Sequence, residues 1–179
     1  MYLIAESRPL PVHARWWASA CKAGLVIDVS FRWCLLRHRR YRGDVHGAPP
    51  APGSAQERDV VRRFAEAFST DDIDALVALL TDDAWLAMPP APHEYHGVTA
   101  IASFLRASAT WRAGRRLRLR PTRANGQPAF GCHLADAVEQ PTGIIVLTLT
   151  GDRIHGITRF LDARLLHHFE PSATSSYLQ

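Results

Sequence analysis

The sequence predicts an α+β domain: a cone-shaped, curved antiparallel or mixed sheet with three to four helices packed on it, enclosing a pocket. Three observations carry this. Apolar residues between positions 60 and 105 recur at helical spacing. From position 116 to 161 the pattern changes to alternation and to β-branched runs. Gly151-Asp152 then marks a tight hairpin turn between two of those runs. Helices grouped ahead of antiparallel strands pack on one face of the sheet. The concave side of such a sheet is where a ligand would sit.

The elements follow in order. Val60, Val61, Phe64 and Phe68 share one face of a first helix, with Arg58, Arg62 and Glu66 opposite. Ser69 or Thr70 is the expected cap of a second helix. Asp71 and Asp72 lie near its N-terminus, where the helix dipole favours negative charge. Ile73, Leu76, Val77, Leu79 and Leu80 form its apolar stripe, and Thr81-Asp82-Asp83 ends it. Residues 84–88 read as a short strand, stopped by Pro89 and Pro90, which cannot continue a central ladder. Val98, Ile101, Phe104 and Leu105 mark a third helix after Gly97.

Arg116-Leu117-Arg118-Leu119-Arg120 alternates strictly, as a strand with one buried face does. Residues 128–134 form the next strand. Residues 143–150, rich in Ile, Val, Leu and Thr, read as a central one. Residues 153–161 return along it, with Gly156 at a bulge. A short helix over residues 163–169 closes the domain.

A chain of 179 residues has room for one full domain. Residues 55–170 are that domain. Residues 47–54 are a Pro/Gly-rich linker, and residues 171–179 a polar, loose tail. Residues 1–46 form a basic segment of uncertain structure. Its cluster Arg37-His38-Arg39-Arg40-Tyr41-Arg42 has three open readings: a solvated tail, a contact for an acidic surface or nucleic acid, or a segment outside the native coding sequence. The net charge of +4 divides unevenly. Residues 1–55 hold eight Lys/Arg against three Asp/Glu, which leaves the remainder at −1. The domain itself therefore lacks the overall basic character of a nucleic-acid binder, and direct DNA binding by it is not expected.

Cys21, Cys34 and Cys132 form no CxxC and no even framework, which weighs against zinc and against a disulfide scaffold. A reduced setting follows. No run approaches the ~18 apolar residues of a membrane span, and the first residues lack the order of a signal peptide. The expected location is cytoplasmic, with no membrane partner.

Two stretches carry a family likeness: Met88-Pro89-Pro90 through Tyr95-His96-Gly97, and the Arg-Ala-Asn-Gly-Gln-Pro-Ala-Phe-Gly run of residues 123–131. Residues 68–80, 82–90 and 146–162 extend it. Residues 57–169 thereby resemble a SnoaL-like domain of the nuclear-transport-factor-like superfamily. The likeness is to the domain at the C-terminus of sigma-70 family extracytoplasmic-function RNA polymerase sigma factors. It implies a regulatory role in transcription initiation, with the sigma core or RNA polymerase as partner and a small molecule as ligand. No cofactor is expected. The promoter-melting region and the helix-turn-helix of such factors would lie upstream. Residues 1–53 are too short for both and resemble neither, so this chain alone is not expected to act as a sigma factor. Some sigma-linked relatives carry a glycine-rich loop where this chain reads Ala135-Asp136-Ala137-Val138-Glu139-Gln140, so that loop's role does not carry over. Two further readings share the fold: a stand-alone isomerase, cyclase or hydrolase, and a homodimerisation module.

Enzymatic relatives place an acid–base group in the cone, and His133, His155 and Asp162 are the catalytic candidates here. The competing reading puts both histidines on a wet strand face and makes Asp162 a helix cap. Trp85, Tyr95 and Asn125 are the candidate pocket liners, an aromatic wall with one amide. Ordinary packing for Trp85 and a turn role for Asn125 compete with that. No metal site is expected: His93 and His96 lack a clear third ligand, and the adjacent His167 and His168 point apart on a helix. Arg112, Arg115, Arg116, Arg118, Arg120 and Arg123 form a basic stripe. It reads as the solvated face of an edge strand or as a contact for phosphates or an acidic partner. There is no Gly-rich phosphate loop and no GxSxG elbow.

Overall fold

The structure, a computed structural model, describes residues 47–135 and 138–169. All of them belong to one unit of the chain, Asp44–Gln179. The expected basic segment of residues 1–46, residues 136–137, and residues 170–179, which include the expected tail, lie outside the described residues.

Helix α1, Ala55–Thr70, opens on a reciprocal cap. The Ser54 hydroxyl accepts from the Glu57 N–H at 3.1 Å, and the Glu57 carboxylate accepts from the Gly53 N–H at 2.9 Å. Ser-x-x-Glu ahead of an apolar run is the sequence form of this device. The helix buries Val60, Phe64, Ala67 and Phe68. It ends at Asp71, whose left-handed backbone (φ 56°) turns its N–H back to the last carbonyls.

That turn displaces the expected cap of α2, Ile73–Ala78. The cap is Asp72, whose side chain accepts from the Ala75 N–H, rather than Ser69 or Thr70. Thr70 is still inside α1, its hydroxyl donating to the Glu66 carbonyl at 2.9 Å. Strand β1, Leu80–Ala87, begins four residues earlier than expected. Leu80 and Thr81 are buried, and Leu80 already pairs with the last strand. Asp82 and Asp83, expected with Thr81 to end the second helix, are an exposed irregularity within the strand. A three-residue strand β2, Glu94–His96, lies between Pro90 and Gly97, where no element is expected from the sequence. Helix α3 is Val98–Trp111. Strands β3 (Leu117–Ala124), β4 (Gln127–Leu134), β5 (Gln140–Thr150) and β6 (Arg153–Phe160) follow. A 3-10 helix, Ala163–His168, comes last.

The six strands form one mixed, open, curved sheet in the order β2-β1-β6-β5-β4-β3. Only the β1–β6 pair is parallel. The β5–β6 register shifts between Thr148 and Leu149, opposite Gly156 and Ile154, so the irregularity expected at Gly156 is present.

Alternation along the strands separates two faces. Toward the helices go Leu86 of β1, Phe130 and Cys132 of β4, Ile145, Leu147 and Leu149 of β5, and Ile157 of β6. They meet Val60, Phe64, Phe68, Leu76, Ile101 and Leu105. Phe64 stacks on Phe68 at 5.4 Å and on Phe130 at 5.6 Å. Burying each such ring stabilises the fold by about 1.5–3 kcal/mol. On the opposite face Ala124, Ala129, Ile144 and Val146 are covered by Phe160, Leu165 and Phe169.

Candidate functional site

Strand alternation sends Arg159 of β6 to the helix side. Its register partner is Ile145 of the main core, and its guanidinium carbon lies 5.9 Å from the centre of the Phe68 ring. Arg159 is 8% exposed. Among the described residues it has no carboxylate and no hydrogen-bond acceptor, and its Nε is sealed from solvent without a partner. Burial pushes its pKa down from the usual arginine value, the nearby Cys132 opposes this, and the Arg112 charge adds to it.

Arg112 lies just beyond α3 and is also buried. It differs from Arg159 in being paired, with the Asp71 carboxylate and at 3.3 Å with the Ser108 hydroxyl. The left-handed end of α1 presents that carboxylate. Cys132, on the same inner face, has a thiol pushed up to about 11, mainly by burial and against the pull of Arg159. Two guanidinium groups, one uncompensated, thus stand among apolar residues and a neutral thiol. Arg159 escaped the sequence reading. The available signal was its spacing: in β6, Ile157 and Arg159 share a face, so a cation occupies a core-facing position.

The three catalytic candidates are not gathered. His133 is buried on β4, facing away from Phe130 and Cys132, in register with Arg118 and Pro141. His155 is buried at the β6 irregularity, its Nδ1 3.2 Å from the Thr81 hydroxyl and 3.5 Å from the Asp83 carboxylate. Neither histidine is on a wet face: both are buried, His133 in a central position between β3 and β5 and His155 against Thr81. On β5 the residues beside them, Pro141 and Thr148, are seven positions apart, which sets the two histidines roughly 20 Å apart along the sheet. Asp162 caps the 3-10 helix through the Arg164 N–H and grips the Arg164 guanidinium at 2.8 Å. That guanidinium holds its carboxyl below the usual range.

Of the candidate liners, Trp85 is buried and packs flat on Gly156. A Cβ on that glycine would lie 2.4 Å from the indole ring. Tyr95 stacks on Phe104 at 4.4 Å and borders the main core, where burial raises its pKa. Asn125 is exposed at the β3–β4 turn with φ 52°, the conformation that Asn tolerates in a turn.

The arginine stripe divides. β3 is an edge strand, and Arg118 and Arg120 are exposed on it, both pairing with Glu139. Arg123 turns the other way, its Nη1 2.7 Å from the Glu57 carboxylate that also serves the α1 cap. Arg112 is buried. Among the described residues no three His, Cys, Asp or Glu side chains gather as a metal site, and no helix is long and apolar enough to cross a membrane.

The family model of the SnoaL-like domain matches residues 61–160, α1 through β6. The chain belongs to the SnoaL-like family. Among curated proteins it is similar to the ECF RNA polymerase sigma factor SigG of Mycobacterium tuberculosis, in strains CDC 1551 / Oshkosh and ATCC 25618 / H37Rv. It is 35% identical to both over 120 residues, 66% of this chain and 32% of each relative. The chain thus spans about a third of the length of those relatives. Among solved structures, an NTF2-like protein of unknown function from Mesorhizobium loti matches with a TM-score of 0.51 and 23% identity. That match covers 66% of this chain and 99% of the other. It shares the cone fold of this SnoaL-like domain.

Proposed function

We propose that this SnoaL-like domain is a regulatory part of a sigma-70 type transcription initiation factor. It acts by contacting the sigma core regions or RNA polymerase, and its cone reads a small molecule. The supporting observation is the 35% identity to SigG over 120 residues, 66% of this chain. The interior is consistent with ligand reading: a polar group is held among apolar walls, as small-molecule sites require. The domain works as residues 55–170.

The alternative is an acid–base enzyme of the same fold. Among the described residues His155 with Asp83 is a candidate pair in its favour, and the wide spacing of His133, His155 and Asp162 weighs against their acting together. The deciding experiment immobilises the full chain and passes over it purified sigma core regions and RNA polymerase from the source cells. The reading expects saturable binding that survives alanine at His133, His155 and Asp162. Absence of binding, together with turnover of a small molecule abolished by those alanines, favours the enzyme.

A further inference from the structure

Arg159 poses a physical problem. A guanidinium stays protonated at any pH the fold survives, and a buried charge needs a partner. The described residues supply only the face of Phe68. The two buried carboxylates among the described residues are engaged elsewhere, Glu57 with Arg123 and Asp162 with Arg164, and Asp71 is engaged with Arg112. The inner face is therefore left with one net positive charge, set beside a second, compensated guanidinium. Arg159 keeps 8% of its surface open.

We propose that the interior of the cone binds a small organic monoanion, a carboxylate with an apolar body, with Arg159 as its main ligand and Arg112 beside it. The single uncompensated charge fits a monocarboxylate better than a phosphate dianion. The planar fork of Arg159 matches a carboxylate edge on. Phe68, Ile145 and Cys132, around the same guanidinium, offer apolar contact to the rest of the molecule. The proposal rests on the ligand-reading half of the proposed function and is independent of the polymerase contact.

The test is thermal unfolding and titration calorimetry of the full chain with benzoate and hexanoate, against benzamide, hexanamide and inorganic phosphate. A carboxylate should raise the melting temperature while its amide, equal in shape but uncharged, does not. Arg159→Met should weaken that carboxylate at least tenfold. It should leave the ligand-free protein as stable as the parent or more so, because it removes an unpaired buried charge. Arg159→Gln is the second variant and should lose the response equally. Three results overturn the proposal: no response to either carboxylate, an equal response to phosphate, or an unchanged carboxylate affinity in the folded Arg159 variants. Polymerase binding measured on the same samples separates the two readings. Binding retained without a carboxylate response leaves the regulatory contact standing and sinks the anion site. A carboxylate response without polymerase binding does the reverse.

Discussion

Gly156 and Trp85 offer a clean separation of packing from function. Gly156 is a strand residue outside the positive-φ set, so its backbone accepts alanine. What resists is the indole: a Cβ there would lie 2.4 Å from Cε2 and Cζ2 and 2.9 Å from Nε1 of Trp85. Ordinary contact needs a ring shift of more than an ångström in a site where Trp85 is only 8% exposed. Overpacking of this kind costs about 1–3 kcal/mol. Against it stands a gain of about 0.4–1 kcal/mol, because alanine restricts the unfolded chain. The expected net loss for Gly156→Ala is about 0–2.6 kcal/mol, centred near 1.3 kcal/mol. In a Trp85→Leu background the near ring atoms are gone, and the same substitution should become stabilising. The assay is a double-mutant cycle by urea denaturation, followed by far-UV circular dichroism so that loss of the tryptophan does not alter the probe. A Gly156→Ala effect of equal size and sign in both backgrounds refutes the contact. It would leave Trp85 free to serve as a ligand wall.

Other outcomes follow from the same structure. The Glu57 carboxyl is held below the usual range by Arg123 and the Asp162 carboxyl by Arg164. Groups with depressed folded values contribute stability above their unfolded pKa, about 4. That contribution is lost as the pH falls through the folded value. Denaturation curves between pH 7 and pH 3 should show this acid limb, and Glu57→Gln should flatten it. At neutral pH the same substitution should cost about 1–2 kcal/mol, the lower end for a charged hydrogen bond, since Arg123 is partly in solvent. Cys132, 1% exposed and with its thiol at about 11, should escape iodoacetamide at pH 8 in the folded protein and react in urea. Peptide mass mapping reads this, and labelling at a free-thiol rate contradicts the burial. Asp72→Ala should cost about 1 kcal/mol by removing the α2 cap, while Ser69→Ala and Thr70→Ala should cost less; equal losses at all three count against the assignment.

The sequence by itself determined the elements whose period is long and whose burial is one-sided. The α1 face of Val60, Phe64 and Phe68, the alternation of Leu117 and Leu119, and the hairpin at Gly151-Asp152 were legible because local spacing selects one face. The boundary near Thr81-Asp82-Asp83 was not legible. Three turn-forming residues remain in a strand there because Leu80 pairs with Ile154, 74 positions on. β2 was hidden for the same reason: three residues carry no period, and the pairing of His96 with Trp85 makes them a strand. The functional side chains divide similarly. Asp162 as a helix cap could be read locally, since a cap bonds two residues away. The burial of His133 and His155 could not, because alternation does not say whether a strand's second face is covered; for His155 the contacts are Thr81, 74 positions away, and Asp83. The meeting of Arg159, Arg112 and Phe68 draws on β6, the end of α3 and α1. Burial of a charge is set by what surrounds it, and only the curved sheet with its helices supplies those surroundings.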